Sequence, residues 1–76
     1  MKILITGASR GIGFESAKLF ASSGHKVLAV SRNSEKLFEL TKFGVTTFSF
    51  DLTNDDYTDL IKKVKSFGKI DVLINN

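Results

Sequence analysis

The chain contains no cysteine, which excludes a disulfide framework, a thiolate nucleophile and a cysteine-ligated metal. It also leaves nothing that points to an oxidising compartment, so a cytoplasmic location is the expectation. Long apolar runs are missing as well. The stretch Met1-Lys2-Ile3-Leu4-Ile5-Thr6-Gly7 is too short for a signal-peptide core or a membrane span and reads as a buried strand, so no membrane partner is expected. There is no block of like charge either. The net charge is +3, and the lysines (Lys26, Lys36, Lys42, Lys62, Lys63, Lys65, Lys69) are dispersed, without aromatic residues set between them, so no nucleic-acid partner is expected. A mild positive field suits a small anionic ligand, although lysines on solvated helix faces account for most of it. No metal site is expected.

What is present is an ordinary globular composition, 42% hydrophobic and 25% charged over 76 residues. This is enough for one small domain that buries only about 60% of the surface its unfolded chain exposes, and whose stability is therefore marginal. No linker, repeat or low-complexity stretch divides it.

Hydrophobic patterning orders the elements. Lys2 to Thr6 is apolar and β-branched. A glycine-rich turn follows, and then Ile12, Ala17, Phe20 and Ala21 recur at helical spacing as far as Gly24. Val27-Leu28-Ala29-Val30 is a continuous apolar run of the kind found in a parallel strand covered on both faces. Asn33 or Ser34 can cap a short helix carrying Leu37 and Leu40, which stops near Phe43-Gly44 because glycine accepts the left-handed conformation. Val45 to Phe50 is the third strand, with Thr46, Phe48 and Phe50 on one face. Thr53 is the expected cap of a third helix, whose apolar positions Tyr57, Leu60, Ile61, Val64 and Phe67 follow the helical repeat as far as Gly68. Asp59 and Lys63 form a weak surface pair on it. Asp71 to Asn75 begins a fourth strand. Strands alternating with helices in the order βαβαβαβ imply an α/β Rossmann-type doubly wound parallel sheet, its N-terminal half, with strand order 3-2-1-4.

The strongest functional signal is Thr6-Gly7-Ala8-Ser9-Arg10-Gly11-Ile12-Gly13, set between a strand and a helix. A phosphate bound at a helix N-terminus needs close approach to backbone N–H groups, and glycines remove the Cβ atoms that would hold it away. Gly7 suits the tight turn, Gly11 the passage of phosphates, and Gly13 the packing of the helix on the sheet. The spacing G-x-x-x-G-x-G is neither the G-x-G-x-x-G fingerprint nor the G-x-x-x-x-G-K-[ST] phosphate loop. With Asp51-Leu52 and Asn75-Asn76 at their intervals, it closely resembles the short-chain dehydrogenases/reductases, and the three motifs span the whole chain.

The resemblance implies roles. Gly7, Ser9, Arg10, Gly11, Ile12 and Gly13 would line the cofactor pyrophosphate and adenosine ribose, Ile12 through its backbone. Asp51 would accept from the adenine amino group, and Leu52 would add a backbone contact. For Asp51, a strand-end or helix-cap carboxylate is the alternative. Asn75 and Asn76 resemble the start of the family's Asn-Asn-Ala-Gly motif, the first fixing the sheet and the second lying beside the cofactor ribose.

The choice of dinucleotide is made at the end of the second strand, where a carboxylate favours NAD and repels a 2′-phosphate. Here Ser31 is followed by Arg32, and Arg10 can approach the same group. A guanidinium pairs with a phosphate through charge-assisted hydrogen bonds, so NADP(H) is the expected cofactor.

The resemblance also implies what lies outside these residues. The family's serine and its Tyr-x-x-x-Lys pair are absent, so residues 1–76 are expected to be a truncated Rossmann domain without catalytic residues and inactive alone. It would belong to an oxidoreductase that moves hydride between NADPH and a small carbonyl or alcohol substrate, homo-oligomeric when full length. The alternative is a non-catalytic dinucleotide-binding module or a subunit that needs a second polypeptide. Tyr57 is not the family's acid, because Ile61 stands where its lysine would be, and packing at the core or helix edge is expected of it. His25 lies in a turn at the end of the sheet away from ligand sites and is read as a surface residue.

Overall fold

The computed structural model describes residues 1–53 and 55–76. Its elements run β1 (Lys2–Thr6), α1 (Gly11–Ser22), β2 (Lys26–Ser31), α2 (Ser34–Leu40), a 3-10 turn (Thr41–Phe43), β3 (Thr46–Ser49), α3 (Tyr57–Phe67) and β4 (Val72–Asn75). The four strands form one parallel sheet in the order β3-β2-β1-β4, as the alternation of elements predicts. In register, Leu4 lies between Leu28 on β2 and Leu73 on β4.

The run Val27 to Val30 is apolar throughout because β2 is covered on both faces. Val27 and Ala29 join Ile3 and Ile5 under α1 and α2, packing with Ala17, Leu37, Leu40 and Val45. Leu28 and Val30 face the other way and pack with Phe50, Phe48 and the α3 residues Leu60, Val64 and Phe67. Phe48 and Phe50 thus share a face, with ring centroids 5.9 Å apart. Val45 and Phe50, expected within the third strand, flank the shorter β3 and are both buried. One face carries two helices and the other, among the described residues, carries only α3. That asymmetry narrows the apolar stripe of α3: Tyr57 and Ile61, expected to be part of it, are 50% and 52% exposed.

The helix ends differ in how well their caps are read. Asn33 caps α2, its side chain accepting from the Lys36 N–H at 3.0 Å. The helix tightens into the 3-10 turn and ends at left-handed Gly44. For α3 the expected cap Thr53 is wrong and Asp56 takes that place. The reason is competition: Asp51 Oδ1 accepts from both the N–H and the hydroxyl of Thr53, at 2.9 and 2.6 Å, which commits Thr53 to the turn after β3. The helix then starts after Asp56, whose carboxylate accepts from the Thr58 N–H and hydroxyl, both at 2.8 Å. The expected Asp59–Lys63 pair does not form. The ion pairs among the described residues are Glu15–Lys18 and Lys36–Glu39, and the half-buried Lys63 turns toward the ends of β2 and β3.

Hydrogen bonds from the Thr58 backbone and then its hydroxyl hold the Asp56 carboxyl below its ordinary pKa. A depressed folded-state pKa contributes stability that is complete above the unfolded value and is lost as pH falls through the folded one. Asp56→Asn keeps a capping oxygen but does not titrate. On acidification below the usual aspartate range, the thermal midpoint of the parent is expected to fall more steeply than that of the variant, and parallel curves would contradict the assignment.

Candidate functional site

All four strands point their C-terminal ends the same way, so the segments that leave β1, β2 and β3 converge at one end of the sheet, where ligands of open parallel sheets bind. Between them lies a cleft of about 830 Å³. Eight of the residues singled out from the sequence line it: Gly7, Ser9, Arg10, Ser31, Arg32, Asp51, Leu52 and Asn76. Gly11, Ile12, Gly13 and Asn75 lie beside it at the start of α1 and the end of β4. Ile12 is 78% exposed. Val30, Asn33 and Thr53 also line the cleft. Their signal in the sequence is positional, since each sits at or just beyond the end of a predicted strand.

Hydrogen bonds of the loops fix the cleft wall. The Ala8 N–H donates to the Val30 carbonyl at 3.2 Å, and the Phe50 N–H to the Ser31 carbonyl at 2.9 Å. Ser31 Oγ donates to Ser9 Oγ at 2.7 Å, joining the glycine turn to the end of β2. Ser49 Oγ holds the Arg32 carbonyl at 3.2 Å. Tyr57, at the helix edge as expected, sets its ring against Phe50 with centroids 5.5 Å apart, and its hydroxyl donates to the Leu52 carbonyl at 2.7 Å.

The glycines divide into two kinds. A Cβ on Gly7 would lie 2.6 Å from the Asn76 carbonyl oxygen, and one on Gly13 would lie 2.6 Å from Asn76 Nδ2 and 2.9 Å from the Gly7 oxygen. These two are needed for internal packing, and the expected contact of α1 with the sheet at Gly13 takes the form of contact with Asn76. Gly11 has φ 61° and, apart from its own helix and chain neighbours, no atom of the described residues within 4 Å of its would-be Cβ, so its left-handed backbone adjoins open space.

The start of α1 has the features of an anion seat. Its cap residue Arg10 makes no side-chain capping bond, and its first turn holds no acidic residue, so the orphan N–H groups and the positive end of the helix dipole are left to an external anion. Asn75 Oδ1 accepts from Thr6 Oγ1 at 2.7 Å, and Asn76 donates from Nδ2 to the Gly7 carbonyl at 2.9 Å and from its backbone to the Thr6 carbonyl at 3.3 Å. Asp51 spends hydrogen bonds on the turn after β3, as described above, while still bordering the cleft.

The overall positive charge does not come from this end. Asp51, Asp55, Asp56 and Asp59 cluster around the β3–α3 connection, whereas most lysines lie at the opposite end of the sheet. The positive charges bordering the cleft are two local guanidinium groups, Arg10 and Arg32. Elsewhere, His25 occupies the turn between α1 and β2, edge-on to Phe20 at 6.1 Å. No helix among the described residues is long and apolar enough to cross a membrane. The described residues also hold no group of three His, Cys, Asp or Glu side chains placed to bind a metal ion.

A parallel sheet in this order, with a glycine turn feeding a helix at its ligand end, defines a Rossmann-type α/β unit. The model of the short chain dehydrogenase family matches residues 1–76, and the chain belongs to that family, whose members use NAD(P) as cofactor. Among its relatives is a protein of Dichelobacter nodosus named "Probable NADP-dependent dehydrogenase in aabA 3′region", 40% identical over 81 aligned positions that cover 100% of this chain and 76% of the relative. The NADPH-dependent 1-acyldihydroxyacetone phosphate reductase of Schizosaccharomyces pombe is also 40% identical, over 97% of this chain and 26% of its own. In structure, a short chain dehydrogenase from Bacillus anthracis superposes with a TM-score of 0.82 at 36% identity, covering 99% of this chain and 33% of that one. One from Salmonella enterica superposes with a TM-score of 0.85 at 28% identity, covering 99% and 35%. Beyond the Dichelobacter protein, the chain spans about a third or less of the length of these relatives.

Inserting a Cβ at Gly13 forces Asn76 and the Gly7 carbonyl apart, and this outweighs the helix propensity that alanine adds. Gly13→Ala is expected to lower stability in urea by about 1–3 kcal/mol. Asn76→Ala in the same background is expected to recover part of the loss, because the side-chain nitrogen is the nearest obstacle. A Gly13→Ala chain as stable as the parent would show that the close approach does not exist.

Proposed function

We propose that these residues are the NADP(H)-binding part of a short-chain oxidoreductase that transfers hydride between NADPH and a carbonyl or alcohol, and that residues 1–76 form the N-terminal half of its nucleotide-binding domain. The observation that carries the cofactor preference is the composition of the cleft wall at the end of β2. Ser31, Arg32 and Asn33 line it together with Ser9 and Arg10, and none of these five is acidic.

In this reading Arg32 and Arg10 clasp the 2′-phosphate through charge-assisted bonds, and the Ser9–Ser31 pair offers it hydroxyl donors. The uncapped N–H groups of α1 receive the pyrophosphate, with Gly11 permitting its approach. Leu52 and Asp51 border the adenine, and Asn76 the ribose. The dinucleotide, when bound, supplies the hydride chemistry, and this chain's residues bind and orient it. The names of the Dichelobacter and Schizosaccharomyces relatives favour NADP. The relatives' greater length, the absence here of the serine and the Tyr-x-x-x-Lys pair, and the outer edge of β4, unpaired among the described residues with Leu73 62% exposed, favour chemistry residing in further sequence.

Arg32→Asp is expected to weaken NADPH binding at least tenfold and to improve NADH binding, reversing the preference when both dissociation constants are measured by cofactor fluorescence. An unchanged ratio would refute the assignment. The 76-residue chain alone is expected to oxidise no NADPH with ketone or aldehyde substrates, and saturable turnover would place the acid within these residues.

A further inference from the structure

The end of the sheet opposite the cofactor cleft carries a second cleft, of about 430 Å³, between the starts of β2 and β3 and the last turns of α3. This volume lies within the range of small-molecule sites, roughly 300–1,000 Å³. Its polar lining residues are Lys26, Lys63, His25, Thr46 and Ser66, with no carboxylate among them.

The charge around it is one-sided. Lys2 and Lys26 open β1 and β2, Lys42 lies in the turn before β3, Lys63 and Lys65 lie in the second half of α3, and Lys69 follows it. The two carboxylates nearest this end are already engaged. Asp71 accepts the Lys2 N–H at 2.8 Å, and Glu39 pairs with Lys36 at 3.5 Å. Neither Lys26 nor Lys63 forms an ion pair among the described residues.

His25 lies beside the chain's first residue. The Met1 nitrogen lies 3.1 Å from His25 Nδ1. The cleft thus combines two ammonium groups that are unpaired among the described residues with the Thr46 hydroxyl, while the Ser66 hydroxyl donates to the Lys63 carbonyl at 3.0 Å, a set that suits a phosphate group and offers little to a cation.

We propose that this cleft is a second anion site, distinct from the dinucleotide cleft, that binds a small phosphorylated molecule through Lys26 and Lys63. The binding does not depend on the cofactor reading. Because the site faces away from the strand C-termini, its occupant cannot be the reacting substrate; it is an effector or a separately held metabolite.

The probe is inorganic pyrophosphate, titrated into the ¹⁵N-labelled protein with NADPH present in excess so that the first cleft is competed for. The expected result is saturable shifts of the Lys26, Thr46, Lys63 and Ser66 amides. Lys26→Ala with Lys63→Ala is expected to raise the dissociation constant by about tenfold or more, with the rest of the spectrum preserved. Lys65→Ala, outside the cleft lining, is expected to leave it within about twofold. Three outcomes would overturn the proposal: no saturable shift, shifts spread evenly over Lys42, Lys65 and Lys69 and abolished by moderate salt, or equal weakening by Lys65→Ala. If pyrophosphate moves only the Gly7 to Gly13 amides when NADPH is left out, and none when NADPH is present, the second site is absent while the first cleft keeps its assignment.

Discussion

The first and last strands are joined at their C-terminal ends by hydrogen bonds that span 69 or 70 positions of the chain: Thr6 Oγ1 to Asn75 Oδ1, Asn76 N to the Thr6 carbonyl and Asn76 Nδ2 to the Gly7 carbonyl. Much of the ligand end depends on this junction. It sets the register of β4 on β1, fixes the carbonyl that begins the glycine turn, and occupies the space that α1 must approach. Each bond contributes only about 1 kcal/mol net, but together they specify geometry. The side chain and backbone of Asn76 fill the positions where a Cβ on Gly7 or Gly13 would stand. The glycine motif is therefore in part a packing requirement of the fold itself, with only Gly11 turned toward open space.

Charge is organised along the strand axis. The ligand end carries four aspartates near the start of α3 along with Arg10 and Arg32, while most of the lysines gather at the other end. A field summed over the whole chain would draw an anion toward the wrong end. In the proposed reading, recognition at the cleft beyond β1, β2 and β3 therefore comes from short-range donors: guanidinium groups, hydroxyls and the uncapped N–H groups of α1. Such contacts are less sensitive to salt than long-range steering, because they act well inside a Debye length of roughly 8 Å. The same polarity makes a cleft lined by Lys26 and Lys63 the natural place for a second anion.

The sequence was most legible where burial imposes a period. Val27 to Val30 read as a two-faced strand because β2 lies inside the sheet, and the topology followed from the alternation of elements and the right-handed crossover. It was least legible where polar side chains compete. Thr53 and Asp56 are both capping residue types, Asp the stronger, and the outcome also turned on Asp51 engaging Thr53. Ile61 and Tyr57 fitted the helical stripe but lie beyond the rim of the face that α3 covers, which no periodicity reveals. In the cleft, the glycine turn, Arg32 and Asp51 were found because strand ends are predictable. Asn33 and Thr53 escaped because they were already accounted for as caps.

Stability and ligand occupancy are linked in such a chain. A domain of this length holds roughly 4–11 kcal/mol, and its cleft wall is built from loops tied by a few hydrogen bonds, among them Ser31 to Ser9, Ala8 to Val30 and Tyr57 to Leu52. A ligand that bridges the glycine turn, the end of β2 and the loop after β3 restrains all three together. At a hundred times its dissociation constant it adds about 2.7 kcal/mol, a quarter or more of the domain's own stability. The exposed Leu73 on β4 acts in the opposite direction, since its apolar surface contributes to stability only when covered. The ligand end and the outer edge of the sheet are thus the two places where what this chain binds most strongly decides how firmly it is folded.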